Sequence, residues 1–314
     1  MEPLGAGLDY FDLKFLGEPA IIATGLLTGR EGVALIDPGP STTLATLRSA
    51  LAARGATTDD VRAILLTHIH LDHAGATGSL LAECPHATVF VHEAGAPHLV
   101  DPSKLLVSAT RLYGADMERL WGEVRPVPSA RIQTVGDNAL KVVGHSVEIA
   151  KTPGHASHHV SYFLPHAGVA FVGDTAGICR PGGPAGRGLG EGGRVVLPPT
   201  PPPDIDLEAW RISTQRILAW HPDILFLTHF GPQRSPRGHF ADMWARMDEW
   251  SARVRAQLQQ PGDDDERARA FTQWVMDELT RATSRQEAEA YTHAARFDFS
   301  WAGLARYWRK QDRR

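Results

Sequence analysis

The sequence predicts an α/β protein: two runs of short strands, then a helical C-terminal region. Three observations carry that prediction. Apolar, β-branched and aromatic runs recur between turn residues along the first two thirds of the chain. Several of these runs close on polar clusters rich in His and Asp. From Gly238 onward the apolar spacing is helical, with Trp244, Trp250, Phe271, Trp274, Trp301 and Trp308 among the residues of its apolar face.

Residues 8–15, 20–27 and 32–36 read as three strands separated by turns at Gly17-Glu18-Pro19 and Gly29-Arg30-Glu31-Gly32. Asp37-Pro38-Gly39-Pro40 stops the third. Ser41 fits the N-cap of a helix reaching about Arg54 and ended by Gly55. The run 62–66 is a strand, a helix follows His73 and ends near Cys84-Pro85, and 87–92 is another strand. Residues 100–124 break the pattern with Leu105, Leu106, Ala109, Leu112, Met117 and Leu120 at roughly helical spacing. Such an insert either packs on the core or walls a pocket. Strands return over 131–151, notably 141–143 and 146–150, and a hairpin-like pair follows at 160–164 and 168–172. Residues 180–204 form a long Gly- and Pro-rich loop, which either borders the site or is a plain surface linker. A helix over 205–220 and a buried strand over 224–227 close the first part. Candidate helices then cover 240–258, 267–280, 286–295 and 301–311. The expected organisation is a first domain over 1–236 and a helical extension over 237–314 packed on it. The two runs of strands could be two halves of a sandwich.

Composition narrows the functions. The chain has 314 residues, 43% hydrophobic and 22% charged, which suits a globular protein with a large core. A net charge of −4 without a basic stripe argues against nucleic acid as the main partner. Two cysteines, Cys84 and Cys179, make no disulfide framework and favour a reducing compartment. The start Met1-Glu2-Pro3-Leu4-Gly5 lacks a basic region leading into an apolar one, so a cytoplasmic location is expected. No window reaches ~18 uninterrupted apolar residues, so no membrane partner is expected.

The chemistry is concentrated in Thr67-His68-Ile69-His70-Leu71-Asp72-His73-Ala74-Gly75, directly after a short apolar run. Neutral imidazoles with a carboxylate suit a metal such as Zn. By chance His-x-His-x-Asp-His would arise in only ~0.002 chains of this composition. Further candidates sit after later strands: His155 in Thr152-Pro153-Gly154-His155-Ala156-Ser157-His158-His159, Asp174 in Gly173-Asp174-Thr175, and His229 in Thr228-His229. Each alone has a bland reading as a turn or packing residue. Together, five histidines and two aspartates exceed the four ligands of one tetrahedral site. They suit two neighbouring metals that share a carboxylate and a bridging water or hydroxide.

These motifs, in this order, resemble the metallo-β-lactamase-fold hydrolase superfamily over about residues 8–236. The resemblance implies a four-layer αβ/βα sandwich with the site at one edge of the two sheets. By motif, His68, His70 and His155 would bind one metal, Asp72, His73 and His229 a second, and Asp174 would bridge. It further implies a metal-bound hydroxide as nucleophile, which Asp72 could orient. The run Thr152 to Phe163 is similar to glyoxalase II, the hydroxyacylglutathione thioesterases, and acyl-homoserine lactonases share the seven ligands. True β-lactamases generally lack the bridging Asp, so Asp174 argues against that activity. His158, His159 and Thr67 are candidates for supporting the ligands. The expected activity is hydrolysis of a small-molecule ester, thioester or lactone by two divalent metals, zinc first, with Fe, Mn or Ni as competitors. The alternatives are an iron persulfide dioxygenase, a phosphodiesterase or nuclease of the same fold, and a metal-stabilised scaffold without catalysis. Substrate identity and oligomeric state are not readable.

Overall fold

A computed structural model describes residues 4, 5, 7–181 and 195–313. Most of the Gly- and Pro-rich loop expected over 180–204 therefore lies outside the described residues. The strands are β1 (Leu8–Asp12), β2 (Ala23–Gly29), β3 (Gly32–Ile36), β4 (Val61–Leu65), β5 (Thr88–His92), β6 (Ile132–Val135), β7 (Asn138–Val142), β8 (His145–Lys151), β9 (Val160–Leu164), β10 (Val169–Phe171), β11 (Ile224–Leu227) and β12 (Gly231–Gln233). They form two six-stranded sheets, ordered β1 to β6 and β12 to β7. Both are mixed: β3, β4, β5 and β6 run parallel in the first, and β10 pairs parallel with β11 in the second.

The helices are α1 (Leu44–Ala52), α2 (Leu71–Ala74), α3 (Thr77–Leu81), α4 (Ala96–Val100), α5 (Ser103–Tyr113), α6 (Met117–Trp121), α7 (Leu207–Ala219), α8 (Pro236–Leu258), α9 (Asp264–Ala282), α10 (Arg285–Tyr291) and α11 (Phe297–Gln311). Strand side chains alternate between two faces, and the alternation here has a partner on each side. In β4 and the residue after it, Ile64 and Leu66 join the core under α1 to α6, while Ala63 and Leu65 face the other sheet. In β11, Leu225 and Leu227 pack toward α7 to α11, while Ile224 and Phe226 fill the space between sheets. The result is an αβ/βα sandwich with a C-terminal helical region, and its central strands are continuously apolar because both faces are covered. Among the described residues no helix is long and apolar enough to cross a membrane.

Four expectations shift for identifiable reasons. The strand expected over 8–15 stops at Asp12, whose carboxylate accepts the backbone N–H groups of Lys14 (2.9 Å) and Ala20 (3.0 Å) and folds the chain into a loop. Ser41 makes no N-cap bond; its hydroxyl donates to the carbonyl of Glu123, and the α-helix begins at Leu44. The helix expected after His73 starts at Leu71, so Asp72 and His73 lie in its single turn. It breaks after Ala74 because the 37–40 loop takes over its backbone: Gly39 N–H donates to the His73 carbonyl at 3.0 Å, and Ala76 N–H donates to that of Gly39 at 2.8 Å. The strands over 131–151 straddle both sheets, with β6 pairing with β5 and the hairpin β7–β8 belonging to the second sheet.

The C-terminal helices are tied to the first sheet's end by Arg180. Its buried guanidinium donates to Glu287 of α10 at 2.7 Å and to the carbonyls of Pro19 (3.0 Å) and Ala20 (2.8 Å). Removing one partner of a buried ion pair leaves the other uncompensated. Arg180→Ala is therefore expected to cost about 3 kcal/mol of stability, measured as a lower urea midpoint with an unchanged slope.

Candidate metal centre

Strand ends deliver the candidate side chains to one edge of the sandwich. His68 and His70 follow β4, Asp72 and His73 lie in α2, His155 precedes β9, Asp174 follows β10 and His229 follows β11. All seven sequence-predicted residues converge. Their donor atoms form three groups with every atom within 4.8 Å of the others: His68, His70 and His155; His68, His73 and Asp174; Asp72, His73 and His229. His68 Nε2 and His155 Nε2 lie 3.0 and 2.9 Å from His70 Nδ1. His229 Nε2 lies 3.2 Å from Asp72 Oδ2. Asp174 reaches both groups, with Oδ1 3.2 Å from His73 Nε2 and Oδ2 3.4 Å from His155 Nε2. Atoms about 2.0–2.2 Å from one tetrahedral ion lie roughly 3.3–3.6 Å apart, close to these spacings.

The hydrogen bonds behind the rings assign the tautomers. His155 Nδ1–H donates to the Pro199 carbonyl at 2.8 Å, and His229 Nδ1–H to the Ile21 carbonyl at 2.7 Å. His73 Nδ1–H donates to the Asp37 carboxylate at 2.8 Å. Thr67 Oγ1 gives its own proton to Asp37 Oδ2 at 2.7 Å, so it accepts from His68 Nδ1 at 3.1 Å. Carbonyls, carboxylates and an already donating hydroxyl leave Nδ1–H the donor in every case. The four Nε2 atoms are thereby left as acceptors turned inward, those of His68 and His155 beside His70 Nδ1. His73 Nε2, His229 Nε2 and Asp174 Oδ1 are buried without a hydrogen-bond partner. Buried polar atoms left unpartnered are costly. A cation satisfies this set where a proton cannot satisfy all of it, so the residues fit a divalent metal.

Electrostatics divides the site in two. Burial, reinforced by neighbouring histidines, pushes His68 well below the ordinary imidazole range and His70 to about 3. Burial also lowers His155, against the pull of Asp174. These three are neutral, the form that ligates. Burial acts the same way on His73 and His229, but nearby carboxylates outweigh it: Asp72, Asp174 and Asp37 raise His73 well above its usual value, and Asp174 and Asp72 raise His229. Against their own burial, Asp72 is held at about 2 and Asp174 well below the carboxylate range by these histidines.

Sequence reasoning missed Asp37, read only as a strand terminator. Besides His73 and Thr67 Oγ1, it accepts Thr228 Oγ1–H at 2.8 Å and, on its other oxygen, Thr67 N–H at 2.8 Å. An acidic residue closing an apolar strand was its sole signal. Thr67 meets one of the candidate ligands, its hydroxyl accepting from His68 Nδ1. His159 stacks on His68 with centroids 5.0 Å apart and bonds Thr152 Oγ1 at 2.9 Å. His158 instead lines the cavity above the site. Two glycines make room for this. Gly154 (φ 145°) puts the backbone against Trp210, where a Cβ would come within 2.3 Å. A Cβ on Gly173 (φ 46°) would meet Thr67 Oγ1 at 2.5 Å. The cavity holds about 430 Å³ and has His70, Asp72, His155 and Asp174 in its lining. Its walls come from α5 and α6, from residues 199–204 and from the start of α11, so the insert is a pocket wall while Ala109 and Trp121 also pack into the core.

Fold and site together define a class: αβ/βα sandwiches with a divalent-metal centre at the sheet edge. A sequence profile of the metallo-β-lactamase superfamily matches residues 17–229, and the chain belongs to that superfamily. A metallo-β-lactamase fold-containing protein of Sulfurisphaera tokodaii is 28% identical over 218 residues, covering 68% of this chain and 74% of that one. A hydroxyacylglutathione hydrolase of Citrobacter koseri is 32% identical over 152 residues, covering 48% of this chain and 45% of its own length. The crystal structure of a metallo-β-lactamase family protein from Thermus thermophilus superposes with a TM-score of 0.70 at 22% identity, covering 98% of this chain and 95% of that one.

Two outcomes are expected. Asp37→Asn should weaken metal affinity by about 10–100-fold, as loss of a ligand's supporting hydrogen bond does, measured by chelator competition. Metal must displace the protons that the carboxylates hold on His73 and His229. Apparent metal affinity should therefore rise with pH across the neutral range, with proton release on loading, measured by calorimetry in buffers of different ionisation enthalpy.

Proposed function

We propose that this chain is a dinuclear metal-dependent hydrolase of small-molecule esters, thioesters or lactones. His68, His70 and His155 would hold one ion and Asp72, His73 and His229 the other. Asp174 would be shared, one oxygen toward each group. Zinc is the favoured ion, because imidazole and carboxylate ligands suit it and geometry and availability decide among Zn, Fe, Mn and Ni. The observation that carries the reading is the inward-facing set of imidazole nitrogens and carboxylate oxygens under a cavity of about 430 Å³.

Two bound divalent ions would supply an activated water at neutral pH and polarise a carbonyl. The chain's own residues do the rest. Asp72 is the candidate for orienting the attacking water: its side chain is 22% exposed, lines the cavity and stays ionised, so it accepts a proton-bearing partner. Four of the five histidines are fixed in orientation by backbone carbonyls, the Asp37 carboxylate and the Thr67 hydroxyl, which would preorganise them to hold the two ions. The shape of the cavity supports a small molecule, and the net charge of −4 disfavours a polyanion.

Metal-replete protein assayed on thioesters, lactones, β-lactams and phosphodiesters should turn over the first two classes with two metals per chain. One iron per chain with oxygen consumption, or preference for phosphodiesters, overturns the reading. His70→Ala and Asp174→Asn should each lower turnover by more than the ~100-fold typical of an outer-contact loss, with circular dichroism unchanged. Full turnover in a verified metal-poor variant would sink the proposal.

A further inference from the structure

The wall facing the candidate metal centre is apolar in a directed way. Along α5, Leu105, Ala109 and Leu112 occupy one stripe, three to four residues apart, and all three face the cavity. At the far end of that stripe stands an aromatic corner. Tyr113 meets Trp121 edge-to-face at 5.0 Å and Phe299 of α11 at 5.4 Å. Pro201, Pro202 and Pro203 form another apolar side. Charged residues at the edges of the wall have partners of their own. Asp204 accepts from Ser157 Oγ at 2.9 Å and Arg296 donates to Asp298 at 2.9 Å, while Lys104 is exposed. Polar groups also line the cavity, Ser108 on α5 and His98, Ser157 and His158 nearer the candidate ligands, while Leu105, Ala109 and Leu112 lead along α5 toward Phe299.

From the apolar side of this wall we infer that the substrate's acyl group is an aliphatic chain of medium length. The inference rests on the hydrolase reading above and specifies its substrate. A cavity of about 430 Å³ holds about fourteen groups of water size, at roughly 30 Å³ each. That accommodates a thioester or ester head at the ligands and a chain of about eight carbons along α5 toward the aromatic corner. Each buried methylene contributes about fourfold in kcat/KM, the equivalent of about 0.8 kcal/mol.

The experiment uses a series of p-nitrophenyl esters and acyl thioesters from acetyl to dodecanoyl on the metal-loaded full chain. Titration calorimetry with octanoate runs alongside as a readout independent of turnover. The inference expects kcat/KM to rise about fourfold per methylene and to level off near eight carbons. Leu112→Trp, which fills the cavity, should cut the octanoyl-to-acetyl ratio at least tenfold and weaken octanoate binding. Phe299→Ala, which opens the far end, should move the plateau to longer chains. A flat profile, a preference for acetyl, or an unchanged profile in both variants with native metal content and circular dichroism overturns it. If no ester, thioester or lactone is cleaved by metal-loaded protein, the hydrolase reading fails instead, and octanoate binding decides the cavity claim. Binding that Leu112→Trp weakens supports an aliphatic site, and absence of binding overturns it.

Discussion

One carboxylate oxygen organises the site edge. Asp37 Oδ2 accepts from Thr67, from His73 and from Thr228. Those partners follow β4, lie in α2 and follow β11, so a single buried atom fastens both sheets and the helix between them. Three donors on one ionised oxygen in a site closed to water make a strong, direction-specific junction. Asp37 sits at positive φ (52°), a conformation that a non-glycine residue adopts only where its surroundings require it. Its carbonyl is also engaged, accepting Thr24 Oγ1–H at 2.9 Å. The chain segments that carry His68, His73 and His229 are thus pinned together at this point.

Much of this was legible in the residue pattern. Continuous apolar runs closing on His and Asp indicated buried strands with a polar edge, and the helical periodicity after Gly238 indicated the C-terminal helices. The seven converging side chains were readable because metal-ligand chemistry uses few residue types at short spacing. What escaped depended on contacts distant in sequence. Asp37 lies 30 residues from Thr67 and 191 from Thr228, so nothing local marks it. Ser41 has the chemistry of a cap, yet a carbonyl 82 residues away claims its hydroxyl. The break after Ala74 comes from a neighbouring loop that captures helix carbonyls, where the local sequence alone favours continuation.

The two halves of the sandwich contribute unequally. The first sheet supplies His68, His70, Asp72 and His73 from one short stretch. The second supplies His155, Asp174 and His229 from three separate strand connections. Each candidate three-residue group takes members from both sheets. An ion held by any of these groups would therefore be coupled to the seam between the sheets.

The cavity above the site is assembled on different terms. Its floor belongs to strand ends locked by Asp37. Its walls belong to α5, α6, the 199–204 segment and α11, which pack into the helical cores on either side of the sandwich. Changes in a wall residue such as Leu112 share no hydrogen bond with the floor, and distant, unconnected substitutions act almost additively. The exception is Pro199, a wall residue whose carbonyl holds His155 of the floor. On the proposed reading, point substitutions along α5, α6 and α11 would reshape what the cavity accepts while leaving the strand-end floor in place.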